Sequence, residues 1–165
     1  MEEVLPGDVV FYRPLTLLGR IVSKITKSEY SHVALVIGTN TVIEADKFIK
    51  TGFSVLNYDK KVHSVYRLDN ISPEDRLKIV NAVLTMQDTS YDYSQIFGLF
   101  LRLVFHINTD MFNKANKFIC SEIIDQAFIS AGIPRKDQKN LGDVTPQELF
   151  EKYKLNRVIQ RQDQQ

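Results

Sequence analysis

The chain is short of most things that would place it quickly. It has one cysteine in 165 residues, so no internal disulfide can form and a reducing compartment suits it. It has no excess of either charge: 21 Lys plus Arg against 20 Asp plus Glu give a formal net charge of +1, with no block of one sign. A nucleic-acid partner would call for a basic face, so none is expected. The longest apolar stretch, Ile96 to Phe105, is too short to cross a bilayer and carries Arg102. Contact with a membrane surface is the weaker expectation for it, because no basic face accompanies it. Met1-Glu2-Glu3 is acidic and no apolar run follows, so no signal peptide is expected and the cytoplasm is the expected location. There is no internal repeat, low-complexity linker or visible domain boundary, which leaves one domain over 1–165, with a polar tail from Gln160.

Residues that are 44% hydrophobic and 25% charged describe an ordinary globular core. Pro6-Gly7-Asp8 reads as a turn, and Val9 to Arg13 as a strand ended by Pro14. Leu15 to Lys27 reads as a short amphipathic helix, with Leu17, Leu18, Ile21, Val22 and Ile25 at helical spacing and Arg20, Lys24 and Lys27 on the exposed face. His32 to Ile37 is nearly all apolar, as a strand covered on both faces would be. Strands follow at Thr41–Ala45, Gly52–Leu56 and Val62–Leu68, which implies an antiparallel sheet. From Ser72 the pattern turns helical: Ser72-Pro73-Glu74-Asp75 caps one helix, Ser94–Val104 is a second, a third starts near Cys120, and Thr145-Pro146-Gln147-Glu148 opens a fourth. A strand-rich first half and a helical second half make an α+β fold.

Ile119, Ile123, Ile124, Ala127 and Phe128 give the Cys120 segment one apolar face running to Ser130, with Gly132 and Pro134 as its stop. A cysteine in the first turn of a helix lies beside unpaired N–H groups and the positive end of the helix dipole. Both favour thiolate, the nucleophilic form. Taken alone, the segment still reads as a core helix with a buried thiol.

The balance shifts with Tyr30-Ser31-His32-Val33-Ala34, far upstream. The three histidines are too scattered to suggest a metal site, and no cofactor is expected. His63 falls in a polar connection and His106 closes an apolar helix, whereas His32 begins a buried strand at the sheet's end. Register limits which acid can orient its ring. A two-residue turn, Thr39-Asn40, puts His32 and Glu44 on opposite faces; an odd loop, Gly38-Thr39-Asn40, puts Asp46 opposite His32 and Glu44 diagonal to it on the same face. Glu44 is the expected partner, because a glutamate inside Val42-Ile43-Glu44-Ala45 needs one if buried; Asp46 is the runner-up.

Leu5-Pro6-Gly7-Asp8-Val9-Val10-Phe11, Ser31-His32-Val33-Ala34, Ile43-Glu44-Ala45, Tyr91-Asp92-Tyr93, Phe118-Ile119-Cys120-Ser121-Glu122-Ile123 and Thr145-Pro146 together resemble the circularly permuted NlpC-like, papain-like cysteine hydrolases, in the YiiX/YebB-like branch. The resemblance runs from Leu5 to about Phe150, with histidine preceding cysteine as in that branch. It implies a permuted papain-like fold, Cys120 as nucleophile, His32 as base and Glu44 as the polar third member. Tyr91 resembles the family's tyrosine ahead of the nucleophile, a candidate oxyanion donor; packing between helices explains it equally well. Tyr12 and Arg13 are weaker candidates for lining the cleft. The implied activity is hydrolysis of an amide bond in a small peptide, such as a cell-wall peptide, through an acyl-enzyme. The alternatives are a thiol acyltransferase or lipase acting on lipid esters or amides, and an inactive domain that binds a peptide or amino acid.

Overall fold

The structure is a computed structural model that describes residues 3–25, 27–45, 51–86, 120–139 and 144–158. Six strands form one antiparallel sheet: β1 (Val9–Tyr12), β2 (His32–Gly38), β3 (Thr41–Ala45), β4 (Thr51–Val55), β5 (His63–Leu68) and β6 (Leu155–Arg157), in the spatial order β4-β3-β2-β1-β5-β6. The described helices are α1 (Leu17–Ile25), α2 (Pro73–Leu84), α3 (Cys120–Ser130) and α4 (Pro146–Lys152). The fold is α+β, as the strand-rich and helix-rich halves imply.

Side chains alternate across the sheet, and both faces are covered. One face packs Val9, Phe11, Val33, Leu35 and Ile43 against Ile79 and Val83 of α2 and Ile123, Ile124, Ala127 and Phe128 of α3. The other gathers Val10, Ala34, Val36, Val42 and Val65 with Val158. This double cover explains why β1 and β2 read as unbroken apolar runs. Phe11 is at the centre of the larger layer, its ring centroid 4.6 Å from Phe150, 5.1 Å from Tyr30 and 5.2 Å from Tyr66. Truncating such a ring to alanine costs about 3–5 kcal/mol.

Local chemistry sets the helix ends. The Ser72 hydroxyl accepts from the Asp75 N–H at the start of α2, and Thr145 and Glu148 form a reciprocal capping box at α4. α3 stops where Gly132 takes φ +76° and the Ile133 N–H donates back to the Phe128 carbonyl, a left-handed termination that glycine adopts without strain. At the start of β1, the fully buried Asp8 carboxylate accepts from Arg67 at 2.8 and 2.9 Å, Arg76 at 3.1 Å and the Leu5 N–H at 2.9 Å. The Pro6-Gly7-Asp8 turn is thereby tied to β5 and α2.

Three expectations need correction. His63 is not in a polar connection; it is the first residue of β5 and is buried. α1 runs from Leu17 to Ile25, the apolar positions themselves, and is shorter than the helix expected over Leu15 to Lys27. β6 was not expected: Leu155-Asn156-Arg157 carries little strand propensity, and it exists because Tyr66, Arg67 and Leu68 offer it a free sheet edge. The helix expected at Ser94–Val104, with the Ile96–Phe105 run, His106 and the tail from Gln160, lies outside the described residues.

Candidate active site

β2 opens on His32, and pairing places it opposite Tyr12 of β1, which is opposite His63 of β5. Directly paired residues share a face, so the three rings form a row across the sheet. The Tyr12 ring lies 5.1 Å from His32 and 4.6 Å from His63, centroid to centroid. The His63 Nδ1 accepts from the Asp59 N–H at 2.9 Å, which leaves its proton on Nε2. Burial lowers the His63 pKa below 6.5, although Asp59 and Glu44 pull it upward.

Glu44 reaches this face through an irregularity in the β2–β3 hairpin. The turn closes as a two-residue loop, with Gly38 paired to Thr41. By itself that register would set His32 and Glu44 on opposite faces. A shift between Val36 and Gly38 places one extra residue on β2, and beyond it Val36 pairs with Val42 and Leu35 with Ile43. The shift brings Glu44 diagonal to His32, as an odd loop would have done. Glu44 Oε2 lies 2.7 Å from His32 Nε2, and its Oε1 accepts from the Ser54 hydroxyl at 2.6 Å. The Tyr12 hydroxyl also donates to this carboxylate; burial, then Glu44, pushes the Tyr12 pKa well above 10.0. Asp46 lies outside the described residues.

α3 begins at Cys120 and packs against β2 and β3, so its first residue meets the end of β2. The Cys120 sulfur is hydrogen-bonded to the His32 ring and faces the backbone N–H groups of Val33 and Ser121. With Nε2 engaged by Glu44, the ring nitrogen on the sulfur side is Nδ1. The Ser121 hydroxyl donates to the Val144 carbonyl, tying the start of α3 to the segment before α4.

Charge follows from this geometry. Burial alone would raise the Cys120 thiol, yet the adjacent His32 and the two N–H groups outweigh it and bring the pKa below 9.0. Burial alone would lower His32, yet Cys120 and Glu44 raise it to about 10. Both shifts favour a thiolate beside an imidazolium. Such a pair can add its sulfur to an acyl carbon and return a proton to the departing group.

The expected residues are therefore not all treated alike. Cys120, His32 and Glu44 meet, and Tyr12 touches the same carboxylate. Arg13 lies elsewhere, over the Tyr30 ring at 5.5 Å and bonded to the Ser64 hydroxyl at 3.2 Å. Tyr91 lies outside the described residues. Ser54 was missed; alternation along Gly52–Leu56 puts it on the Glu44 face, but only a register known in advance would have shown it. Among the described residues, no group of three or more His, Cys, Asp or Glu side chains could hold a metal ion. Nor is any described helix long and apolar enough to cross a membrane.

The chain matches, over residues 3–159, the family described as permuted papain-like amidase enzyme, YaeF/YiiX, C92 family. Its fold is similar to the crystal structure of metalloprotein yiiX from Escherichia coli O157:H7, with a TM-score of 0.68 at 16% sequence identity, covering 97% of this chain and 99% of that one. No curated protein matches it.

Proposed function

Because the chain belongs to the permuted papain-like amidases, a family of cysteine hydrolases, we propose that it cleaves an amide bond in a small peptide through Cys120, His32 and Glu44. The observation that carries this reading is the His32 ring, bonded on one side to Cys120 and on the other to Glu44 Oε2 at 2.7 Å.

The thiolate adds to the carbonyl carbon; a C–S bond forms and the carbonyl electron pair moves onto oxygen. The amide N–H of Cys120, at the start of α3, and the Tyr91 hydroxyl are the proposed donors to that oxyanion. When the pair returns, the C–N bond breaks and the His32 imidazolium gives its Nδ1 proton to the leaving nitrogen. The acyl group stays on sulfur. His32, now neutral, takes a proton from water as the oxygen attacks, and the thiolate leaves with a carboxylic acid released. Glu44 accepts the Nε2–H throughout, which fixes the tautomer and opposes the imidazolium charge. The whole chain acts as one catalytic domain in this reading.

The test compares γ-glutamyl peptides with acyl esters, using Cys120→Ala as control, alongside iodoacetamide labelling of Cys120 near neutral pH. Peptide turnover lost in Cys120→Ala, with fast labelling that depends on His32, supports the proposal. Turnover confined to esters, or transfer to an acceptor other than water, would replace it with a lipase or acyltransferase. An inert thiol and no turnover on either class would leave a binding domain.

A further inference from the structure

The carboxylate of Glu44 is held from both sides. His32 approaches from β2 and Ser54 from β4, each diagonal to Glu44 on a neighbouring strand, while the Tyr12 hydroxyl reaches it from β1. The residue directly opposite Glu44 on β4 is Gly52, which has no side chain to fix it. A glutamate has three rotatable side-chain bonds, and each further bond to its carboxylate narrows the orientations it can take. The 2.6 Å bond from Ser54 holds Oε1 on the β4 side and keeps Oε2 toward the ring.

We infer that Ser54 is a positioning residue: its hydroxyl holds the Glu44 carboxylate in the one orientation that aims Oε2 at His32 Nε2. The inference rests on the proposed Cys120–His32–Glu44 reading and extends it by one strand. Ser54 touches neither sulfur nor imidazole, so it acts only through Glu44. Among the described residues, the ionisable groups bearing on that carboxylate include His32 from β2, Tyr12 from β1 and His63 from β5, with Cys120 behind His32. The Ser54 hydroxyl does not titrate in the working range. Its removal therefore leaves the set of titrating groups intact and changes only their coupling.

The experiment measures iodoacetamide labelling of Cys120 against pH in the full chain, comparing Ser54→Thr with Ser54→Val. These two variants have nearly the same shape and both suit a strand, but only threonine keeps the hydroxyl. The expected result is wild-type labelling in Ser54→Thr, and in Ser54→Val labelling about tenfold slower near neutral pH with its acid onset moved upward, as losing a bond to a charged acceptor implies. Equal profiles for the two variants would overturn the inference, because the hydroxyl would then be irrelevant. His32→Ala separates this failure from that of the underlying reading. If labelling ignores His32, the thiolate–imidazolium pair is wrong; if it depends on His32 while Ser54→Val matches Ser54→Thr, only the role of Ser54 is wrong.

Discussion

His32 Nε2 stands 2.7 Å from Glu44 Oε2, although the two residues are diagonal on adjacent strands rather than opposite. Glu44→Gln keeps the shape and one acceptor oxygen but removes the charge that opposes the imidazolium. Charge-assisted bonds are roughly twice as strong as neutral ones, so kcat/KM should fall about tenfold. The alkaline limb of the pH profile should also move to lower pH. A variant with an unchanged profile would show that Glu44 does not support the ring.

Cys120→Ser tests the sulfur itself. A serine hydroxyl ionises far less readily than a thiol, and a pair tuned to hold thiolate beside imidazolium gives it little help. Turnover should drop to background while the variant still folds, as a cooperative urea transition would show. His32→Ala should slow labelling of Cys120 near neutral pH by about 10²-fold, since the thiolate then loses its counter-charge.

The pH dependence of stability has a definite sign. His32 is raised from 6.5 to about 10, so its contribution is complete below 6.5 and lost as pH rises through about 10. Cys120 is lowered from 9.0, so its contribution is complete above 9.0 and lost as acid protonates the sulfur. Between 6.5 and 9.0 the two oppose each other, the His32 contribution declining as pH rises while that of Cys120 grows, and above 9.0 stability falls as pH passes through about 10. Cys120→Ala removes the coupling and should flatten this dependence, as read from urea midpoints across pH. An unaltered curve in the variant would contradict the coupling.

Asp8 is fully buried and serves Arg67 and Arg76 together. Asp8→Asn leaves two guanidinium groups without their counter-charge. Removing one partner of a buried ionic cluster costs about 3–5 kcal/mol, so chemical denaturation should show a loss of that order. Thr145→Ala, which deletes one arm of the α4 capping box, should cost only about 1 kcal/mol by the same measurement.

The parts of the fold governed by local chemistry could be read from sequence. Ser72, Thr145 and Gly132 mark helix ends because capping and left-handed backbone depend on the residue itself. The apolar face of α3 shows its extent, from Cys120 to Ser130. What the sequence hides is register. Glu44 could be named as the partner of His32, but the route differs from an odd turn: the turn has two residues, and the extra one lies back in β2 at the shift between Val36 and Gly38. Ser54 and His63 were obscured for the same reason, since their neighbours are fixed by strands far along the chain. β6 is the extreme case, a strand created by the edge it joins.

The Val36–Gly38 shift also constrains how this gene can change. Deleting the one extra residue of β2 would let β2 and β3 pair without interruption, and Val36 would still meet Val42. His32 and Glu44 would then keep their diagonal on one face. It is the loss of the shift at unchanged length, by re-pairing the strands from the two-residue turn onward, that would send them to opposite sides. The hairpin is therefore governed by parity rather than by size, and a sheet that kept every residue but lost the irregularity would be folded and inert.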